Sequence, residues 1–191
     1  MTYEHVTVCF SLPRSRSQWL AWLYGHAVSS WHDPLKLCKH PLELKEMIDQ
    51  ANTQGPLFIA DTAAILFHNA ITESLPGARF LYVVRPPEDV CASLKRQTGF
   101  PRTAMVYEMF ARLLHERCSV VGEQGCAYSE IDDAARNWWQ PITGRSTDFF
   151  PAGLWHKMRG TVIDLPLSRQ HVDPFLRNEL MRHKEPPPGG R

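Results

Sequence analysis

The segment Val6-Thr-Val-Cys-Phe-Ser-Leu-Pro-Arg-Ser-Arg-Ser-Gln-Trp-Leu20 constrains the chain most. It reads as an apolar strand, a tight polar loop and the start of a helix. That order builds an anion site, because backbone N–H groups at a helix N-terminus converge on a negative group and the helix dipole favours it. The loop also carries Arg14 and Arg16 and the hydroxyls of Ser11, Ser15 and Ser17. All of these suit phosphate or sulfate oxygens. The segment Phe80-Leu-Tyr-Val-Val-Arg-Pro-Pro-Glu-Asp-Val-Cys-Ala-Ser93 repeats the plan with a strand, a terminal arginine and a helix. Two such sites in one small domain point to a ligand with more than one phosphate-like group.

Elsewhere, strands and helices alternate. Apolar strands are predicted at 5–11, 57–60, 79–84 and 126–129. Helices are predicted at 15–28, 43–51, from Asp61-Thr62 to about Leu75, from Pro87 to Gln97, over 103–122, and from Asp132 or Asp133 to Pro141-Gly144. Pro41 and Gly55 supply ordinary start and stop signals for the helix at 43–51. Residues 29–40 read as irregular, and 145–166 show no period. A last helix is expected at 168–183, before a disordered tail at 185–191. Nearly all-apolar strands between helices indicate a parallel sheet covered on both faces. At 191 residues, the chain suits one domain over 1–184. The expected class is α/β, three layers around a central parallel sheet of four or five strands. In such sheets ligands bind beyond the carboxyl ends of the strands, where Arg14, Asp61 and Arg85 fall.

The net charge of +1 argues against a broad nucleic-acid footprint. No apolar run reaches the roughly 18 residues that span a bilayer, and no signal peptide is visible. The five cysteines are widely spaced without a C-x-x-C pair, as expected of reduced thiols in a cytoplasmic protein.

Together, Leu12-Pro-Arg-Ser-Arg-Ser-Gln-Trp19 and Arg85-Pro-Pro-Glu-Asp-Val-Cys-Ala-Ser93 resemble the paired signatures of sulfotransferases that use 3′-phosphoadenosine 5′-phosphosulfate (PAPS). The first is similar to the 5′-phosphosulfate loop, P-[KR]-[ST]-G-[ST]-[ST]. The second matches the 3′-phosphate motif, R-x-P-x-D-x-x-x-S, at every defining position. Tyr128-Ser-Glu-Ile131 is a weaker echo of a late family strand ending in Y-E-D-L. The resemblance orders about 130 residues and leaves the C-terminal third unmatched. One departure stands out: Arg16 replaces the loop glycine, where backbone usually approaches the phosphosulfate closely. Either its guanidinium joins the cradle or the loop is reshaped. The loop also fails the Walker A pattern G-x-x-x-x-G-K-[ST].

The resemblance implies a P-loop NTPase-like fold and transfer of a sulfuryl group from PAPS to a hydroxyl or amine, releasing 3′-phosphoadenosine 5′-phosphate (PAP), with no metal needed. Pro13, Arg14, Ser15, Arg16, Ser17, Gln18 and Trp19 would cradle the 5′ group. Arg14 would steady the leaving phosphate, and Arg85 with Ser93 would hold the 3′-phosphate; the bland alternative pairs Arg85 with Asp89. The acceptor, a small molecule or a carbohydrate, needs a general base. Asp33 is the first candidate, because His32-Asp-Pro-Leu35 resembles the E-P-L segment of carbohydrate sulfotransferases. His32 is the second, and an Asx turn before Pro34 is the competing role for Asp33. Asp61 reads first as a helix cap. His32, Cys38 and His40 lack paired zinc-ligand spacing. Cys9 and Arg14 fall one residue short of C-x₅-R, so Cys9 reads as core. Trp138-Trp139 and Phe149-Phe150 also read as core, and His156, Lys157 and Arg159 are candidates to close over a nucleotide. The small size leaves room for a homodimer that completes the acceptor site. The rival readings are a P-loop nucleotide or small-metabolite kinase and a nucleotide-binding module without catalysis.

Overall fold

The computed structural model of the chain describes residues 2–51, 53, 55–98, 109, 112 and 125–154. Five parallel strands form one sheet: β1 (Val6–Ser11), β2 (Ser29–His32), β3 (Leu57–Asp61), β4 (Arg79–Val84) and β5 (Gly125–Ala127), in the order β2-β3-β1-β4-β5. The helices are α1 (Ser17–Gly25), α2 (Glu43–Ala51), α3 (His68–Ser74), α4 (Pro87–Thr98), α5 (Ile131–Asn137) and α6 (Trp139–Thr143), with short 3₁₀ turns at Pro34–Leu37, Ala64–Phe67, Tyr128–Glu130 and Thr147–Phe149.

Every residue of β1 and β3 is buried, as parallel strands covered on both faces require. Their side chains alternate between two cores. Val6, Val8 and Phe10 join Leu57, Ile59 and Tyr82 beneath Leu35, Leu44, Ile48, Ile65, Ile71 and Val90. Cys9, Phe58, Ala60, Leu81, Val83 and Cys126 face Leu20, Leu23 and Tyr24 of α1, with Ala135 of α5 and Trp139 and Ile142 of α6. This is the expected three-layer α/β architecture, with α1, α5 and α6 on one face and α2, α3 and α4 on the other.

Strand β1 is central and pairs with β3 and β4. Its outgoing chain runs through α1 to β2, whereas that of β4 leads through α4 to β5 on the opposite side. The neighbours β1 and β4 therefore send their chains in opposite directions. That is the switch point where α/β sheets open a ligand crevice.

Several boundaries differ from the sequence reading. Residues 29–32 form edge strand β2, a position read as irregular. Its residues are exposed or half-buried, so no apolar run marks it, and pairing with β3 holds it in place. The element after Asp61 opens as a 3₁₀ turn before α3, and the helix expected up to Pro141-Gly144 breaks into α5 and α6 at Trp138. Trp139 is core as expected, but Phe149 is exposed. No helix among the described residues is long and apolar enough to cross a membrane. Of the helix expected at 103–122, Met109 and Arg112 are described and both are helical; the expected helix at 168–183, the tail at 185–191, Cys118, and the segment with His156, Lys157 and Arg159 lie outside the described residues.

Candidate functional site

Between β1 and α1 the chain turns through Arg14 and Arg16, both left-handed at φ 68° and 63°. Each conformation is one that glycine adopts freely and a side chain disfavours. Arg16 thus takes up the backbone role of the absent glycine. The turn delivers the chain to Ser17, and no side chain caps α1 or places an acid in its first turn. The N-terminal N–H groups of α1 and the positive end of its dipole consequently face the crevice uncompensated.

The turn also buries polar atoms without giving them partners. Ser15 is fully buried, and its Oγ has no hydrogen-bond partner; the same holds for Ser11 Oγ, Arg16 Nε and Arg85 Nε. Buried polar atoms normally find partners, and leaving one unmade costs about 1–3 kcal/mol. Their concentration beyond the carboxyl ends of β1 and β4 marks a place suited to a ligand rich in acceptor oxygens.

The two sequence motifs meet here. Arg14 Nε donates to Ser93 Oγ at 3.3 Å, and Arg85 Nη1 donates to the backbone carbonyl of Arg14. Arg85 forms no ion pair with Asp89; instead its guanidinium stacks 4.3 Å from the Tyr128 ring centroid. Arg16 reaches toward α5. It stacks on Trp19 and Tyr128, each at 4.9 Å, and pairs with Asp132 at 3.4 Å. Trp19 and Gln18 are half-buried on α1, and Pro13 is half-buried in the loop. Tyr128 and Asp132 were not among the candidate site residues. Only the weak Y-E-D-L echo touched Tyr128, and nothing local signals the reach of Arg16 to Asp132.

The carboxyl ends of β2 and β3 form a second cluster. Asp33 is buried and left-handed at φ 50°. Its Oδ2 takes Lys36 Nζ at 2.5 Å, while Oδ1 accepts from the Thr62 N–H at 3.0 Å and the Thr62 hydroxyl at 3.2 Å. Burial pushes its carboxyl up, but His32, Lys36 and the hydrogen bonds from Lys36 and Thr62 together outweigh that and hold it below the ordinary value. A carboxylate so engaged is a poor proton acceptor. Asp33, the first candidate for general base, is therefore placed as a structural anchor. Its Asx-turn alternative is also replaced, since the oxygens reach Thr62 and Lys36.

His32 stands beside Asp33 and faces the start of α1. Its Nε2 lies 3.3 Å from Ser17 Oγ, at the start of α1, and 3.6 Å from Asp33 Oδ2. Burial lowers its proton affinity; Asp33 raises it and Lys36 lowers it, with a net decrease that favours the neutral ring near pH 7. Because one nitrogen faces both Ser17 and Asp33, the three do not form a relay in which the acid orients the opposite ring nitrogen.

Asp61 is the cap that its position suggested. Its Oδ1 accepts from Ala63 and Ala64 N–H, and its Oδ2 from Leu35 N–H. Burial and the nearby Asp33 charge push it up to about 7 against these three donors. Cys9 is a fully buried thiol whose ionisation burial strongly opposes, as expected of a core cysteine. Cys38 Sγ turns to the Pro34 carbonyl and to Met47 Sδ.

The chain matches no family model and no curated protein sequence. Among solved structures it is similar to a gluconokinase from Sinorhizobium meliloti 1021, with a TM-score of 0.49 and 11% identity, over 75% of this chain and 96% of that one. A likeness this distant carries no activity across, so the chemistry of this chain is argued from its own crevice.

Proposed function

We propose that the protein is a transferase that takes a sulfuryl group from PAPS and passes it to a hydroxyl or amine acceptor. The observation that carries this reading is the joining of the two anion motifs: Arg14 Nε on Ser93 Oγ, and Arg85 on the Arg14 carbonyl. A donor with two separated phosphate groups fits a crevice whose cationic residues come from two neighbouring strand ends. The 5′-phosphosulfate would lie on the loop of residues 13–17, with the unpartnered Ser15 hydroxyl and the N-terminus of α1. The 3′-phosphate would lie against Arg85 and Ser93.

In the transfer, the acceptor oxygen or nitrogen attacks sulfur while the bond from sulfur to the 5′-phosphate oxygen breaks. The proton of the acceptor passes to His32 Nε2. The charge that gathers on the departing phosphate is met by Arg14 and the α1 N–H groups, a preorganised field aimed where charge develops.

The second reading is a P-loop kinase. Ser17 opens α1, and Asp61 ends the strand beside β1, the two places where such kinases hold magnesium. Against it, the loop has no lysine, and both Asp61 oxygens already receive backbone donors. Calorimetric titration with PAP, AMP and magnesium-ATP, on wild type and Arg85→Ala, separates these readings. Selective binding of PAP that the variant loses supports the sulfuryl donor; preference for magnesium-ATP replaces it with the kinase. Tight PAP binding without turnover over many acceptors leaves a nucleotide-binding module.

A further inference from the structure

The left-handed backbone of Arg16 disfavours any side chain, so what that side chain touches must offset the strain. It touches three groups. Nη1 meets Asp132 Oδ1 in the first turn of α5, and the guanidinium lies over Trp19 and over Tyr128. The Tyr128 ring carries Arg85 as well. One phenol thus holds the guanidinium of the phosphate loop and that of the second motif. Asp132 neutralises Arg16, while Arg85 has no ion-pair partner among the described residues. Nε of each arginine is buried and lacks a hydrogen-bond partner.

A planar guanidinium stacked on a ring has its face fixed, and its N–H groups then point out along the edges. The Arg85 fork is held at one end by the Arg14 carbonyl and across its face by the Tyr128 ring, and Arg16 holds that ring from its own anchorage on Asp132. We propose that Arg16 is a positioning residue for Arg85, acting through Tyr128, and that this stack sets selectivity for nucleotides bearing a second phosphate. The loop arginine thereby links β1, β4 and β5 on the ligand side of the sheet. The ligand named here rests on the donor reading; the coupling between the arginines does not.

The test titrates PAP and AMP into wild type, Arg16→Gly, Tyr128→Phe and Tyr128→Leu, reading the ratio of the two affinities. Arg16→Gly and Tyr128→Leu are expected to lower that ratio on the order of tenfold, the loss falling on PAP more than on AMP, while Tyr128→Phe retains wild-type selectivity. An unchanged ratio in Arg16→Gly overturns the proposal. So does an equal loss for both ligands, which would make Arg16 a direct 5′ contact. If Arg16→Gly fails to fold, Arg16→Lys gives the same reading, because it keeps the charge and loses the planar stack. A double-mutant cycle between Arg16→Lys and Arg85→Lys, read by unfolding without ligand, tests the coupling by itself. Coupling that vanishes in Tyr128→Leu supports the proposal even where wild type shows no preference for PAP, a result that would sink the donor reading alone. Strict additivity with Tyr128 present overturns the positioning role.

Discussion

Arg14 and Ser93 stand 79 positions apart in the chain, and Arg14 Nε donates to Ser93 Oγ across 3.3 Å. Parallel pairing of β1 with β4 in the register Ser11↔Val83 brings their exits side by side. Pro87 then opens α4, and Ser93 lies almost two turns along it, since a turn takes about 3.6 residues. The contact therefore follows from strand register and helix pitch, and it ties the loop after β1 to helix α4.

Arg14→Ala is expected to abolish transfer, because it removes the cation beside the departing phosphate. Ser93→Ala is expected to weaken PAP roughly tenfold or more, in line with about 1.5–3 kcal/mol for a hydrogen bond to a charged group. Titration and a turnover assay check both. Undiminished turnover in Arg14→Ala would remove that residue from the mechanism.

Asp61→Ala is expected to destabilise the fold by about 3 kcal/mol or more, since it orphans the N–H groups of Leu35, Ala63 and Ala64, at about 1 kcal/mol or more for each buried donor. Asp61→Asn has one acceptor oxygen, so it satisfies one side of the cap. Its pH dependence has a definite sign. Burial and Asp33 raise the folded carboxyl to about 7, above its ordinary value of 3.8. The folded state therefore takes up this proton first, and stability gained from the group grows as pH falls from 7 toward 4. Urea unfolding of wild type minus Asp61→Asn should show that gain. A flat difference would mean the carboxyl titrates normally.

Much of this was written locally in the chain. Residues 79–84 carry the apolar run of a covered strand, and Pro41 with Gly55 bracket α2, so both elements read directly. The anion motifs are equally local, because a strand end, an arginine and a helix start are consecutive residues. What escaped was set by neighbours. β2 has Trp31 as its one large apolar side chain and becomes a strand by pairing with β3. Asp33 looked like a proton acceptor until folding set Thr62 and Lys36 on its oxygens. Nothing local to Arg16 announces its partners Tyr128 and Asp132, which folding brings from the turn after β5 and from α5.

On the buried face of α1, Tyr24 is fully buried, donates its hydroxyl to the Ala135 carbonyl at 2.9 Å and stacks against Trp139. Tyr24→Phe keeps the ring and leaves a buried carbonyl unpaired, an expected loss of about 1–3 kcal/mol. Trp139→Ala removes the ring that α1, α6 and Phe150 share, at about 3–5 kcal/mol. Denaturant midpoints check the order. A Tyr24→Phe protein as stable as wild type would show that the carbonyl finds another donor.

In the proposed transfer His32 takes the proton of the acceptor. Burial holds His32 below its ordinary pKa, Asp33 pulls it up and Lys36 pushes it down. A base works unprotonated, so transfer should fall on the acid side through a pKa lower than the usual histidine value of about 6.5, with full activity at pH 7. The neighbours move that limb in opposite directions. Asp33→Asn removes a negative charge and shifts it to lower pH; Lys36→Met removes a positive charge and shifts it to higher pH. The ring resonances of His32, followed by NMR across the same range, report these shifts without substrate, and His32→Gln should erase the limb from the rate profile. A limb that survives in His32→Gln assigns the proton to another group, and a His32 that titrates above the ordinary histidine value refutes the burial argument on which its role depends.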